Sequence, residues 1–185
     1  ERFLKDCIEN NLSLDEIREA LHNNIFGFDI DKNAIVKCKT YLNNVIKKYG
    51  IDEIEWNIIQ MDSLNKNNVK QYFNIFDYVI GNPPYIRIQH LGNERRERIQ
   101  KDWFFCKNGS TDIYIAFFEL GINLLNETGK LGYITPNTYF KTEPAKSLRY
   151  YLMEEKIIKK LIDFNHHQVF DDATTYSAIT ILDKS

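Results

Sequence analysis

Phe76-Asp77-Tyr78-Val79-Ile80-Gly81-Asn82-Pro83-Pro84-Tyr85 is an apolar run that stops at a glycine and passes into a stiff, proline-rich turn. A short apolar run bounded by turn residues reads as a buried strand, here Phe76 to Ile80, covered on both faces. In an open α/β sheet, ligands bind beyond the carboxyl ends of the strands, which is where Asn82-Pro83-Pro84-Tyr85 falls. The Asn82 side-chain carbonyl offers two acceptor lone pairs. Pro83 has no N–H, but its carbonyl still accepts. Two acceptors held close together on a rigid turn suit a group with two N–H donors, such as an exocyclic amine. Tyr85 adds a face on which a planar base can stack, worth about 1–3 kcal/mol per base. The bland alternative is a loop in which Pro-Pro only ends a strand.

The run Val79-Ile80-Gly81-Asn82-Pro83-Pro84-Tyr85 resembles motif IV of the S-adenosylmethionine-dependent amino-methyltransferases, above all the DNA adenine-N6 methyltransferases. Its continuation, Ile86-Arg87-Ile88-Gln89, resembles the single-chain restriction-modification (type IIG) branch, and the resemblance extends from about Asn24 to the C-terminus. It implies a Rossmann-like α/β domain over residues 1–185, a three-layer sandwich with a mostly parallel sheet and an antiparallel last strand. It also implies S-adenosylmethionine as cofactor and double-stranded DNA as partner. Asn82 and the Pro83 carbonyl would accept from the amine of a flipped-out adenine, with Tyr85 stacked on the base. No general base or metal is required by this picture. Arg87 and Pro84 are the expected substrate contacts beside the turn.

Composition is compatible with this. The chain has 185 residues, 43% hydrophobic and 27% charged, with a net charge of −2. That is ordinary for a globular protein with a real core, and a pI near 6.1 is no footprint of a dedicated nucleic-acid binder. A local patch can still contact phosphates. Arg87, Arg95, Arg96, Arg98 and Lys101 form one, interleaved with Glu94 and Glu97 as a plain solvated helix face would be. No apolar run approaches the ~20 residues of a membrane helix, and no signal peptide is visible. Three widely spaced cysteines, Cys7, Cys38 and Cys106, make neither a zinc pattern nor a disulfide framework. A cytoplasmic protein with reduced thiols is expected.

Upstream of the turn, helices are expected over Glu1–Glu9 and from the capping-box signature Ser13-Leu14-Asp15-Glu16 to about Asn23. No strand precedes them, so the sequence reads as an excerpt that begins inside a fold. Asn24 to Asp31 then reads as a short strand ending in two carboxylates. Asp31 suits the cap of the helix that runs to Gly50. Asp29, at a strand end, suits a ribose diol, with two charge-assisted hydrogen bonds. The segment resembles the family's motif II, whose acid binds the cofactor ribose. A strand over Glu55–Gln60 leads into Met61-Asp62-Ser63, which resembles motif III. The resemblance implies that Asp62 accepts from the cofactor's adenine amine and that Ser63 lies beside that ring, although Asp-Ser after a strand is more often a helix cap.

Downstream, Ile86 to Thr111 shows no clean period and is expected to be a long loop folding over DNA. A helix over Asp112–Asn126, a turn and strand over Gly129–Asn137, a helix over Glu143–Glu154 and strands over Ile157–Phe164 and Tyr176–Leu182 should follow. The adjacent pair His166-His167 cannot easily ligate one ion together, and no metal site is expected. Phe170, on the loop between the last strands, resembles the motif VIII aromatic that packs on the target base opposite the motif IV tyrosine. The Gly-rich loop of motif I is missing, since Gly27 is the first glycine. A first strand is therefore expected from another segment or chain, as is target recognition. Two rivals stay open. RNA guanine-N2 and protein glutamine methyltransferases share an Asn-Pro-Pro-Tyr motif, and a chain without motif I could be a non-catalytic assembly module.

Overall fold

The signature Ser13-Leu14-Asp15-Glu16 closes as a reciprocal cap in the computed structural model, which describes residues 1–107, 110–165 and 176–185. Glu16 N donates to Ser13 Oγ at 3.3 Å, and Ser13 N donates to Glu16 Oε2 at 2.8 Å. Around this start the unit Glu1–Ser63 forms. Helices α1 (Arg2–Glu9) and α2 (Leu14–Asn24) precede strand β1 (Phe26–Asp29), helix α3 (Lys32–Lys47) and strand β2 (Asn57–Gln60). Asp31 caps α3 as expected, its carboxylate accepting from Asn33 N at 2.8 Å. The strands β1 and β2 pair in parallel, Phe26 opposite Asn57 and Asp29 opposite Gln60. Leu4, Ile17, Leu21, Ile46, Ile51 and Trp56 form the core of this unit.

The second unit, Leu64–Ser185, carries the quoted stretch. After helix α4 (Lys66–Val69) come strand β3 (Phe76–Gly81), helix α5 (Asn93–Asp102), helix α6 (Ile113–Leu124) and strand β4 (Leu125–Pro136). Helix α7 (Lys146–Glu154) and strands β5 (Ile158–Asp163) and β6 (Ser177–Asp183) complete it. The sheet order is β3-β4-β6-β5. β3 and β4 are parallel, while β6 runs antiparallel to both its neighbours. The last strand is therefore antiparallel, as expected.

Three expectations need correction. β3 is not covered on both faces: Tyr78 is 73% and Ile80 85% exposed. The strand lies at the edge of its sheet with β4 as its one partner among the described residues, and an apolar run cannot report whether its second neighbour lies in the same unit. The stretch from Ile86 to Thr111 is not one irregular loop either. It holds a 3₁₀ turn (Ile88–His90), α5 and a second 3₁₀ turn (Phe104–Cys106). Ile99 and Trp103 anchor it, both fully buried, with the Trp103 indole N–H donating to the Leu64 carbonyl at 2.9 Å. Finally, β4 starts at Leu125 and passes through Gly129 without a turn. A Cβ at Gly129 would stand 2.8 Å from the Phe76 carbonyl oxygen, so only glycine allows the strands to approach there.

Helix α6 is apolar on nearly every face and packs on β4, which makes it the buried layer behind the turn. A Cβ at Gly121 in this helix would stand 2.5 Å from the Tyr133 hydroxyl and closer still to Leu131 Cδ1. Both neighbours are buried. Alanine gains about 1 kcal/mol of helix propensity over glycine, but overpacking a tight core costs about 1–3 kcal/mol. Gly121→Ala should therefore lower the urea midpoint; a midpoint equal to or above wild type would mean that α6 is not packed this closely on β4.

Candidate functional site

In the first unit, the parallel pairing of β1 and β2 puts Asp29 and Met61-Asp62 side by side beyond the strand ends. The pairing continues one step past β2, with Met61 N donating to the Asp29 carbonyl at 2.8 Å. The Asp29 side chain is exposed, and its Oδ1 accepts from Asp31 N at 2.8 Å. That bond fixes the carboxylate, while Oδ2 carries no hydrogen bond among the described residues and stays an open acceptor. Asp62 and Ser63 follow on the same strand end, both half-buried.

In the second unit, the turn leaves β3 with Pro83 buried and Asn82 exposed. The Tyr85 hydroxyl donates to Asn82 Oδ1 at 2.7 Å and lies 3.4 Å from the Ile134 carbonyl oxygen on β4. Burial raises the Tyr85 pKa, partly offset by the neighbouring Ser177. Asn82 Oδ1 thus has one lone pair occupied and, among the described residues, one free. The Tyr85 ring meets Tyr114 edge-on, centroids 6.4 Å apart at 80°. Burial holds Tyr114 as a neutral phenol, its pKa pushed up to about 12, and its oxygen lies 3.2 Å from Thr138 Oγ1.

Past the turn, the chain forms an antiparallel bridge between Arg87 and Asp112. Ile88 N donates to the Thr111 carbonyl at 2.9 Å, and Ile113 N donates to the Ile86 carbonyl at 2.8 Å. Asp112 occupies the N-cap position of α6, but its carboxylate makes no capping bond. Burial raises its pKa, against the pull of Arg87 and His90. A cavity of about 210 Å³ opens here, walled by Arg87, Thr111, Asp112, Tyr114, Thr138 and Thr142. Sequence reasoning placed Asp112 only at the start of a helix and passed over Tyr114; their one local signal is the polar-aromatic pattern at the start of an otherwise apolar helix.

The basic residues separate. Arg87 and Lys101 are exposed, while Arg95, Arg96 and Arg98 on α5 are half-buried. Phe170 and the pair His166-His167 lie outside the described residues. All three cysteines are free thiols. Among the described residues no helix is long and apolar enough to cross a membrane.

The Eco57I restriction-modification methylase family profile matches residues 23–170. The chain is 33% identical to the type II restriction enzyme and methyltransferase RM.Eco57I of Escherichia coli over 90% of its own length, and it spans 19% of that protein. A Listeria monocytogenes protein assigned to the class I S-adenosylmethionine-dependent methyltransferases superposes on 88% of this chain and 45% of its own, with a TM-score of 0.60 at 18% identity. The structure of a DrdV–DNA complex matches 95% of this chain and 21% of its own, with a TM-score of 0.71 at 13% identity. The fold is therefore the Rossmann-like class I methyltransferase fold.

A carboxyl whose pKa is higher in the folded than in the unfolded chain costs stability when ionised. That cost is absent below the unfolded value and complete above the folded one. Asp112→Asn mimics the protonated form, so it should raise Tm at neutral pH, with an advantage over wild type that shrinks as pH falls into the carboxylate range. Thermal melts across that range check this; an advantage that is constant or grows on acidification would contradict it.

Proposed function

The chain belongs to the Eco57I restriction-modification methylase family, and from that premise we propose that it is the catalytic region of an S-adenosylmethionine-dependent enzyme that methylates the exocyclic N6 of adenine in double-stranded DNA, within a restriction-modification system. The observation that carries the reading is the Asn82 amide oxygen at the end of β3. One lone pair is fixed by the Tyr85 hydroxyl, and the second remains for an incoming amine.

The cofactor fits the residues present. Asp29, with one carboxylate oxygen pinned and one open, would hold the ribose diol, and Asp62 the adenine amine. When bound, the cofactor supplies an electrophilic methyl on a sulfonium. The target adenine leaves the duplex at a cost of a few kcal/mol. Asn82 Oδ1 and the Pro83 carbonyl then accept its two amine hydrogens. Those hydrogen bonds draw the nitrogen lone pair out of conjugation with the ring and direct it toward the methyl. Rate comes from positioning and fixed dipoles. Tyr85 stacks on one face of the base and Phe170 on the other, with Pro84 and Arg87 contacting the flanking strand.

The open edge of β3 supports a further part of the reading. Tyr78 and Ile80 expose apolar surface on a strand whose outer edge has no strand partner among the described residues, an arrangement that folded proteins normally cover. A strand carrying the Gly-rich cofactor loop, from the longer protein or a partner chain, would cover it. The same source would bring target recognition.

Asn82→Ala in the longer enzyme should reduce methyl transfer to DNA to background while leaving the melting temperature near wild type. Retained transfer would remove Asn82 from its role. Parallel assays on duplex DNA, RNA and a glutamine-containing protein should give transfer to DNA alone; transfer to either other substrate would move the chain to a rival amine target.

A further inference from the structure

Arg87 and Asp112 stand directly opposite each other on the bridge that follows the turn. The backbone bonds on either side, from Ile88 N to the Thr111 carbonyl and from Ile113 N to the Ile86 carbonyl, make them a non-hydrogen-bonded pair. In such a pair the two side chains leave the same face and stand closest. Opposite charges placed there normally close into an ion pair. Here none joins them: Arg87 acts on the Asp112 carboxylate through space, and that carboxylate makes no capping bond. Both residues instead line the cavity of about 210 Å³. Thr111 lines it too, 3% exposed, with its hydroxyl buried and unpartnered among the described residues. Buried polar groups are nearly always partnered, so this wall holds unused hydrogen-bonding capacity. The opposite wall is fixed from behind. Thr138 Oγ1 lies 3.2 Å from the Tyr114 hydroxyl, and Arg149 Nη1 donates to the Tyr139 and Thr142 carbonyls at 2.8 and 2.6 Å.

Charge and size select what could enter. Arg87 disfavours a cation and Asp112 an anion, which leaves a neutral molecule carrying both donors and acceptors. A cavity of about 150 Å³ holds benzene, so this one has room for a nucleobase, and Ile115, Pro144 and Ala145 give its rings apolar wall. A carboxylate with both oxygens open takes two neighbouring N–H donors. Among the common bases only guanine has them, N1–H beside the exocyclic N2 amine. Guanine O6 and N7 are also the acceptors that an arginine fork grips most often. In a duplex N1 and N2 are engaged by cytosine, so the base must be unpaired. We propose that the cavity between Arg87 and Asp112 is a pocket for one unpaired guanine base, the carboxylate accepting from N1 and N2 and the guanidinium donating to O6 and N7.

The pocket does not depend on the methyltransferase reading, because binding is measured without cofactor or transfer. Calorimetric titration of the 185-residue chain with guanosine, adenosine, cytidine and thymidine monophosphates tests it. The phosphate is common to all four, so differences report the base. Guanosine monophosphate should bind about tenfold more tightly than the others. Asp112→Asn keeps the size of the side chain and turns one acceptor into a donor. It should weaken guanosine monophosphate about tenfold, the loss of about one charge-assisted hydrogen bond. It should also strengthen adenosine monophosphate, whose amine and neighbouring ring nitrogen match an amide. Absence of binding, equal binding of the four, or an unchanged order of preference in Asp112→Asn overturns the proposal. A thymidine trinucleotide with guanine at its centre then identifies the source of the base. Binding at least as tight as that of guanosine monophosphate assigns a base within a strand, and loss of binding assigns a free nucleotide. A chain that prefers guanine while the longer enzyme transfers no methyl would sink the methyltransferase reading alone; methyl transfer without a preference for guanine would sink the pocket alone.

Discussion

Two backbone hydrogen bonds, from Ile88 N to Thr111 and from Ile113 N to Ile86, tie the chain after the Asn-Pro-Pro-Tyr turn to the start of α6. The turn needs outside support because Pro83 and Pro84 have no N–H and cannot pin it through a strand ladder. On the other side the Tyr85 hydroxyl reaches Asn82 and the Ile134 carbonyl of β4. The turn is thus clamped between a buried helix and the neighbouring parallel strand. Its rigidity comes from both, and Asn82 can stay exposed without being loose. α6 suits this task because its surface is apolar almost all round, so it is held by packing on many sides while its first residues stay free to pair with the turn.

The first unit reaches a similar end by a simpler route. Parallel pairing of β1 and β2 aligns their carboxyl ends, and the bond from Met61 N to Asp29 O extends the alignment into the loops. Asp29 is then fixed by Asp31 N, and Asp31 by the cap of α3. One short acidic loop therefore stops a strand, starts a helix and aims a carboxylate. In both units the candidate site residues stand at strand ends, where the backbone is ordered by its ladder but the side chains are not used up by the sheet.

The sequence was legible wherever a few neighbouring residues carry their own chemistry. The strand running into Asn82, the reciprocal cap of α2 and the Asp31 cap all depend on local pattern, whereas the antiparallel last strand was implied only by the family resemblance. α5 was hidden because Asn93–Asp102 buries only Ile99 among charged residues, so no apolar stripe appears; Trp103 and its bond to Leu64 hold it from outside. The exposure of β3 was hidden for the opposite reason. Its apolar residues are right for a central strand, and nothing in them reports which strands stand beside it. The site itself was read in part. Asn82 and Tyr85 are three residues apart and legible together, whereas Asp112 and Tyr114 come to the turn from a distant segment and had no shared signal. The membership found by comparison bears out the resemblance carried by residues 79–89, and the class I fold follows with it.

On the function proposed above, the Asn82 turn directs a methyl group to an adenine amine. The most direct measurement is to incubate the longer enzyme with methyl-labelled S-adenosylmethionine and duplex DNA, digest the DNA to nucleosides and identify the labelled one by mass spectrometry. Label is expected in N6-methyldeoxyadenosine alone. Label in a methylated cytosine, or in no nucleoside at all, would contradict it.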